Sequence, residues 1–311
     1  MSDTPQSGLI EVQGGDYEHV LEFEGDGLAY RRVPLVPLSK VVLGGQDFDV
    51  AEYSLANLIM LHAAGDRRLT AIPVFPSRAF RNAAIFVGRD SSLTGFADLA
   101  GKRVGVSEFA MTTAVWTRGH LQDAHGVGVR DVEWVVGPGQ RFPIPAGVRA
   151  TPADGDLEDM LASGRIDALM AGKPKDLKRP PAERRLRCLV DDPDAVERAY
   201  FAATGLYPIM HAMVLHPRVT GDKGLPRRLF DAYVLAKRKA LARRLSAGFL
   251  PFAERAWDRF GPDDPCCYGL TETNRRNIAT LSRYLREQGL SDREPEVDSL
   301  FAFGATDWSD A

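Results

Sequence analysis

The chain has 311 residues, 44% hydrophobic and 26% charged, a length that is long for one core and fits two lobes. Its formal net charge of −3 gives no global basic field, so nucleic acid is not an expected partner. No apolar run approaches the length needed to cross a bilayer, so a membrane is not expected either.

The N-terminal residues Met1-Ser-Asp-Thr-Pro-Gln-Ser-Gly8 carry an acid and no apolar core, so no signal peptide is expected there. Cys188, Cys266 and Cys267 include an adjacent pair but no C-x-x-C spacing, which argues against a disulfide framework. A reducing, cytoplasmic setting is the simpler expectation.

In chain order, Leu9–Gln13 and Leu28–Val33 read as strands, followed by a turn bounded by Pro34 and Pro37 and a short helix over Ser39–Leu43. Phe48–Glu52 reads as a strand. Leu55–Ala64 reads as an apolar helix with Ser54 as N-cap. Leu69–Phe75 is a buried strand and Ala83–Val87 a strand that leads into the second lobe. There, Arg103–Val106, Val132–Val136 and Ala168–Met170 are strands, alternating with helices at Met111–Ala124 and Leu157–Leu161. A Gly/Pro-rich loop covers 137–155. Such alternation implies a parallel-type α/β sheet. Ile209–Leu215 is a strand returning to the first lobe. Helices are expected at Leu229–Leu245, Phe252–Phe260 and Glu272–Gln288.

Ligands of open α/β sheets sit beyond the carboxyl ends of strands, where helix N-termini converge. Glu52-Tyr53-Ser54, Ser77-Arg78-Ala79-Phe80-Arg81 and Glu108–Thr112 meet that description. A helix N-terminus suits a carboxylate, and the guanidinium forks of Arg78 and Arg81 match one with paired hydrogen bonds. Glu52 and Glu108 are acids that would complement a helix dipole, or accept a bond from a phenolic hydroxyl if one faces the cleft. Trp116 shares a helix face with Thr112 and reads as core or as a ring-stacking wall. His211 can donate or accept a proton at neutral pH; its plain alternative is a buried histidine held by a backbone carbonyl. His120 and His125, five apart, do not share a helix face, and there is no H-E-x-x-H, so no metal is expected. Neither G-x-x-x-x-G-K-[ST] nor G-x-G-x-x-G occurs, and no cofactor is expected.

Three blocks carry a resemblance. Phe96-Ala-Asp-Leu-Ala-Gly-Lys-Arg-Val-Gly-Val106 is similar to two-lobed solute-binding proteins in general. Phe75-Pro-Ser-Arg-Ala-Phe-Arg81 and Thr204-Gly-Leu-Tyr-Pro-Ile-Met-His211 resemble the 4,5-dihydroxyphthalate decarboxylase family, an enzyme branch of that fold. The match runs from Asp47 to about Gly289 and includes Cys267-Tyr-Gly269, Asn274 and Arg283–Leu290. The resemblance implies an α/β, two-lobed, periplasmic-binding-protein type 2-like fold with a ligand cleft between lobes and a helical C-terminal segment. Lobe one would comprise 1–84 and 213–311, and lobe two 85–212.

It also implies non-oxidative decarboxylation of a hydroxylated aromatic acid. The small aromatic dicarboxylate would be held by Arg78 and Arg81, with Ser77, Ser54, Thr112, Trp116 and Glu108 around it. His211 would donate the proton, and Glu52 would meet the phenol. The rival expectation is a small-acid-binding protein or sensor of the same fold that turns nothing over. A thiamine-precursor-type synthase on this fold would need a His- and Cys-rich iron site, which the sequence does not offer. A homo-oligomer is left open.

Overall fold

The computed structural model describes residues 8–246, 260 and 264–310. They divide into two compact units, each built on its own sheet. Unit 1 comprises 1–78, 211–275 and 295–311, and unit 2 comprises 79–210 and 276–294. Among the described residues, no helix is long and apolar enough to cross a membrane.

The sheet of unit 1 has strand order β2-β1-β3-β11-β4. Its members are β1 (Ile10–Gly14), β2 (Leu28–Arg32), β3 (Val50–Ser54), β4 (Thr70–Ile72) and β11 (His211–Leu215). β1 runs parallel to β2 and β3, whereas β11 lies antiparallel to both β3 and β4. Alternation along the strands puts Val50, Met213 and Leu215 in one apolar cluster with Val12 and Ile72. Leu225, Leu229, Phe230 and Tyr233 of α6 (Leu225–Ser246) belong to the same cluster. The same period carries Glu52 and His211 on that face, at the end where β3 finishes.

Unit 2 has order β10-β5-β9-β6-β7-β8. β6 (Arg103–Val106) pairs in parallel with β7 (Glu133–Val136) and β9 (Ala168–Met170). β5 (Ile85–Gly88) is antiparallel to β9 and to β10 (Leu186–Cys188), and β8 (Ala150–Pro152) is parallel to β7. α3 (Thr112–His125) follows β6 and ends on Gly126 at φ 68°, a left-handed C-cap that glycine adopts without Cβ strain.

Several expectations are corrected. The first helix, α1 (Leu35–Leu43), begins four residues before Ser39 and takes Pro37 into its first turn. The N–H groups of a first turn have no intrahelical acceptor, so a proline there costs no bond. The loop over 137–155 contains the edge strand β8. β4 covers only Thr70–Ile72, because Pro73 has no N–H to continue a ladder. β10 and α5 (Pro193–Thr204) were not anticipated, although Asp192 caps α5 by accepting from the Ala195 N–H at 2.8 Å. α4 (Leu157–Ala162) is as expected. The last helix, α7 (Glu272–Glu287), is assigned to unit 1 through Arg275 and to unit 2 from Arg276 onward, so it does not fall wholly with lobe one. The helix expected at Phe252–Phe260 lies, apart from Phe260, outside the described residues.

Candidate active site

A set of chemically competent groups in unit 1 surrounds Glu52. Strand pairing builds it. His211 lies opposite Ser54 and Met213 opposite Glu52, so Glu52 and His211 are diagonal neighbours on one face. β1 runs beside β3 with Val12 opposite Val50 and Gln13 opposite Ala51, so β1 ends, at Gly14-Gly15, next to Glu52. Glu52 is 2% exposed. Its Oε2 accepts the Gly15 N–H at 2.8 Å, and its Oε1 accepts the Tyr17 hydroxyl at 2.7 Å. His211 Nδ1 lies 2.6 Å from the same Oε1.

Burial alone would raise the Glu52 carboxyl. The bonds from His211, Gly15 and Tyr17 and the His211 charge outweigh it and hold the group below the usual carboxylate range. An ionised carboxylate can only accept, so Nδ1 carries the hydrogen and donates it. Nε2 then remains on a half-buried ring, and no hydrogen bond to it is found among the described residues.

The surroundings fix this geometry. Tyr30 donates to the Gly15 carbonyl at 2.8 Å, so the Gly15 residue is held from both sides. A Cβ at Gly14 would come 2.3 Å from the Tyr30 hydroxyl, and one at Gly15 would come 2.6 Å from the Tyr17 ring. A side chain at either place would push one of the two phenols aside. His19 stacks on Tyr17 with ring centroids 5.3 Å apart, and burial lowers its pKa. Burial first, then the Glu52 charge, holds the Tyr17 and Tyr30 phenols well above their ordinary range.

Arg78, also in unit 1, lies over the Phe75 ring, 5.4 Å from its centroid. Its Nη2 donates to the Cys267 carbonyl at 2.8 Å and to Asn274 Oδ1 at 2.7 Å. Asn274 is fully buried and donates in turn to the carbonyls of Cys267 and Gly269. The loop over Cys267–Gly269 is clamped by Gly269 N–H on Pro73 O at 2.7 Å and Tyr268 N–H on Asp310 Oδ1 at 2.6 Å. Gly269 has φ 95°, and a Cβ on it would come 2.0 Å from the Trp308 carbonyl. Lys237 binds Asp264 at 2.6 Å and Asp310 at 2.5 Å, which seats the loop from below. Burial pushes the Cys266 thiol up to about 11, so it is no ready nucleophile.

The other expected residues are placed as follows. The Ser77 carbonyl accepts the His211 N–H, and its hydroxyl reaches Tyr17. Ser54 caps α2 (Leu55–Ala63) by accepting the Asn57 N–H at 3.3 Å. Thr112, buried, is the first residue of α3. Trp116 is a core residue of unit 2: its indole donates to the Ile209 carbonyl at 3.1 Å, and its ring meets Tyr284 edge-on. Glu108, half-buried in unit 2, pairs with Arg141. Arg81 lines a cavity of about 510 Å³ in unit 2 together with Phe80, Cys188 and Glu197. Burial raises the Glu197 carboxyl, and the Arg81 charge opposes that rise. The structure therefore joins His211 and Glu52 directly and brings Ser77 beside Tyr17. It assigns Arg78 and Arg81 to different units.

Sequence reasoning missed Gly15, Tyr17, Tyr30 and Arg141. The Gly14-Gly15 doublet directly after a strand was the available signal for close backbone approach. Among the described residues, no group of three or more His, Cys, Asp or Glu could hold a metal ion.

No family model matches the chain. The fold is that of the solute-binding proteins. The periplasmic aliphatic sulphonate binding protein SsuA from Escherichia coli aligns with a TM-score of 0.57 at 14% identity, over 94% of this chain and 91% of that one. The desulfurization enzyme DSZB aligns at 0.54 and 17% identity, over 94% and 96%. Two curated relatives are named 4,5-dihydroxyphthalate decarboxylase. The one from Pseudomonas putida is 39% identical over 134 residues, 40% of this chain and 52% of the relative. The one from Comamonas testosteroni is 32% identical over 278 residues, 82% of each chain, and on that extent of identity this chain belongs to the 4,5-dihydroxyphthalate decarboxylase family.

Proposed function

We propose that this chain is a carboxy-lyase that converts 4,5-dihydroxyphthalate, or a close analogue, to protocatechuate and CO2 without oxidation. The observation that carries the chemistry is the bond between His211 Nδ1 and buried Glu52, which leaves Nε2 as the group to deliver a proton. A bare aryl carbanion is too unstable to form freely. The route open to an imidazolium is to protonate the ring carbon that bears the carboxylate, para to a hydroxyl. The positive charge is then shared with that hydroxyl oxygen. The C–C bond to the carboxylate breaks, its electron pair restores the aromatic ring, and CO2 leaves. One proton is consumed and is replaced on Nε2 from solvent. General acid catalysis of this kind contributes about 10²–10⁴-fold.

Glu52 was expected to meet the substrate phenol. Both its oxygens are bound by protein donors and it is 2% exposed, which suits it instead to orient His211 and stabilise its cation. Arg78 is our candidate for the carboxylate that is retained, with Arg81 a second candidate for a substrate anion. The free thiols of Cys188, Cys266 and Cys267 support a cytoplasmic setting, and the reaction suits the catabolism of phthalate-type aromatics.

The alternative is a sensor of small acids, favoured only by the fold's likeness to binding proteins. Purified protein incubated with 4,5-dihydroxyphthalate should release CO2 and protocatechuate in equal amounts. Tight binding with no product would favour the sensor and sink the decarboxylase reading.

A further inference from the structure

The interaction that decides whether a carboxylate–imidazole pair can act as an acid is the one that fixes which partner holds their shared proton. A buried glutamate beside a histidine can take that proton itself, leaving a neutral imidazole with nothing to give. Here Glu52 has two further donors, the Gly15 N–H and the Tyr17 hydroxyl. The Tyr17 bond falls on Oε1, the same oxygen that faces His211 Nδ1. Neutral donors to a carboxylate favour its ionised form. We propose that Tyr17 is a positioning residue for the proton of the pair: its hydroxyl keeps Glu52 ionised, so that the proton stays on the His211 imidazole.

The inference rests on reading His211 as the proton donor of the decarboxylation. The titratable groups that face Glu52 are His211 from β11, Tyr17 and His19 from the segment after β1, Tyr30 from β2 and Tyr233 from α6. Burial holds the Tyr17, Tyr30 and Tyr233 phenols in their protonated form, so at working pH they are neutral donors and not competing anions. Tyr17 alone among the phenols donates directly to the carboxylate. Tyr30 acts one step back, through the Gly15 carbonyl.

Tyr17→Phe removes this bond together with the contact to the Ser77 hydroxyl, and keeps the ring stacked on His19. The full-length chain, labelled with nitrogen-15 histidine, is titrated by NMR. In the wild type, the plateau of the singly protonated pair, below the pair's first protonation and above the pH at which it takes up a second proton, should show both His211 ring nitrogens at imidazolium shifts. In Tyr17→Phe the plateau should lie part-way toward neutral imidazole. With 4,5-dihydroxyphthalate, the variant's kcat should fall about tenfold and its KM stay within about twofold, the loss expected for one hydrogen bond to a charged group. Placing 3-fluorotyrosine at position 17 keeps the hydroxyl and should restore the wild-type plateau and rate. If Tyr17→Phe does not fold, the fluorotyrosine protein still tests the idea, because a plateau displaced toward neutral imidazole there would overturn it. An unchanged plateau in Tyr17→Phe, or a neutral plateau in the wild type, would also overturn it. If the wild type turns over no diacid, the decarboxylase reading fails, while the NMR result still decides where the proton lies.

Discussion

Glu52 and Glu108 occupy the same local context, a few residues ahead of a helix that follows a β-strand, yet the fold gives them opposite characters. Glu52 is sealed from solvent and shares Oε1 between a phenol and an imidazole, a partner whose ring nitrogens can hold or release a proton. Glu108 is half-buried and faces Arg141, whose guanidinium stays charged at any working pH. One pair can move a proton and the other can only fix a charge. The partner, not the acid, decides the chemistry, and the partner comes from a distant part of the chain in each case.

The largest expected effect tests the mobile pair. His211→Ala should lower kcat by about 10²–10⁴-fold and leave KM for the diacid nearly unchanged. Steady-state kinetics on folded protein would show this, and full turnover by the variant would move the proton donor elsewhere. Glu52→Gln should cost roughly 10- to 150-fold in kcat, the equivalent of about 1.5–3 kcal/mol for a lost charged hydrogen bond.

Glu52→Gln also has a signature in stability. The folded carboxyl lies below the value of an unfolded glutamate, about 4.3. The stabilisation is therefore complete above that pH and drains away as pH falls through the folded value. The wild-type melting temperature should drop more steeply than that of Glu52→Gln below about pH 4.3, and parallel curves would contradict the assignment.

Arg78→Ala should raise KM by about 10- to 150-fold, a loss of about 1.5–3 kcal/mol, if the guanidinium holds the retained carboxylate equally in ground and transition states. A fall in kcat alone would instead identify it as a brace for the Cys267–Gly269 loop. The smallest effect belongs to the fixed pair. Glu108→Gln should destabilise by roughly 1 kcal/mol, lowering the melting temperature by a few degrees, and should leave the pH–rate profile in place.

What the sequence made legible follows the range of the interaction. Ser54 was readable as a helix cap because its partner, Asn57, is three residues away. Trp116 was readable as core or wall from helical spacing, and it is buried in unit 2. Phe75-Pro-Ser-Arg-Ala-Phe-Arg81 and the run ending in His211 carried the family. Glu52 was legible as a residue but not in the bonds it makes, because its donors come from the segment after β1 and from β11, which only sheet pairing brings beside it. Tyr17 sits 35 positions from Glu52 in a stretch with no periodicity and no motif. α1 was misjudged because a proline reads as a stop signal when the register of the first turn is unknown. Nor could the sequence say which loop would receive Arg78, since Cys267 lies 189 positions later.

That last separation bears on how the protein comes into being on the ribosome. Arg78 leaves the exit tunnel well before Trp308 and Asp310, the residues that pin the loop which seats it. A nascent chain is therefore without the brace for Arg78 until translation has passed Asp310. A premature stop upstream of Trp308 would yield a polypeptide that contains every proposed catalytic residue and lacks the brace for one of them. Small acids free in the cell would meet a braced Arg78 only on a chain made past that point.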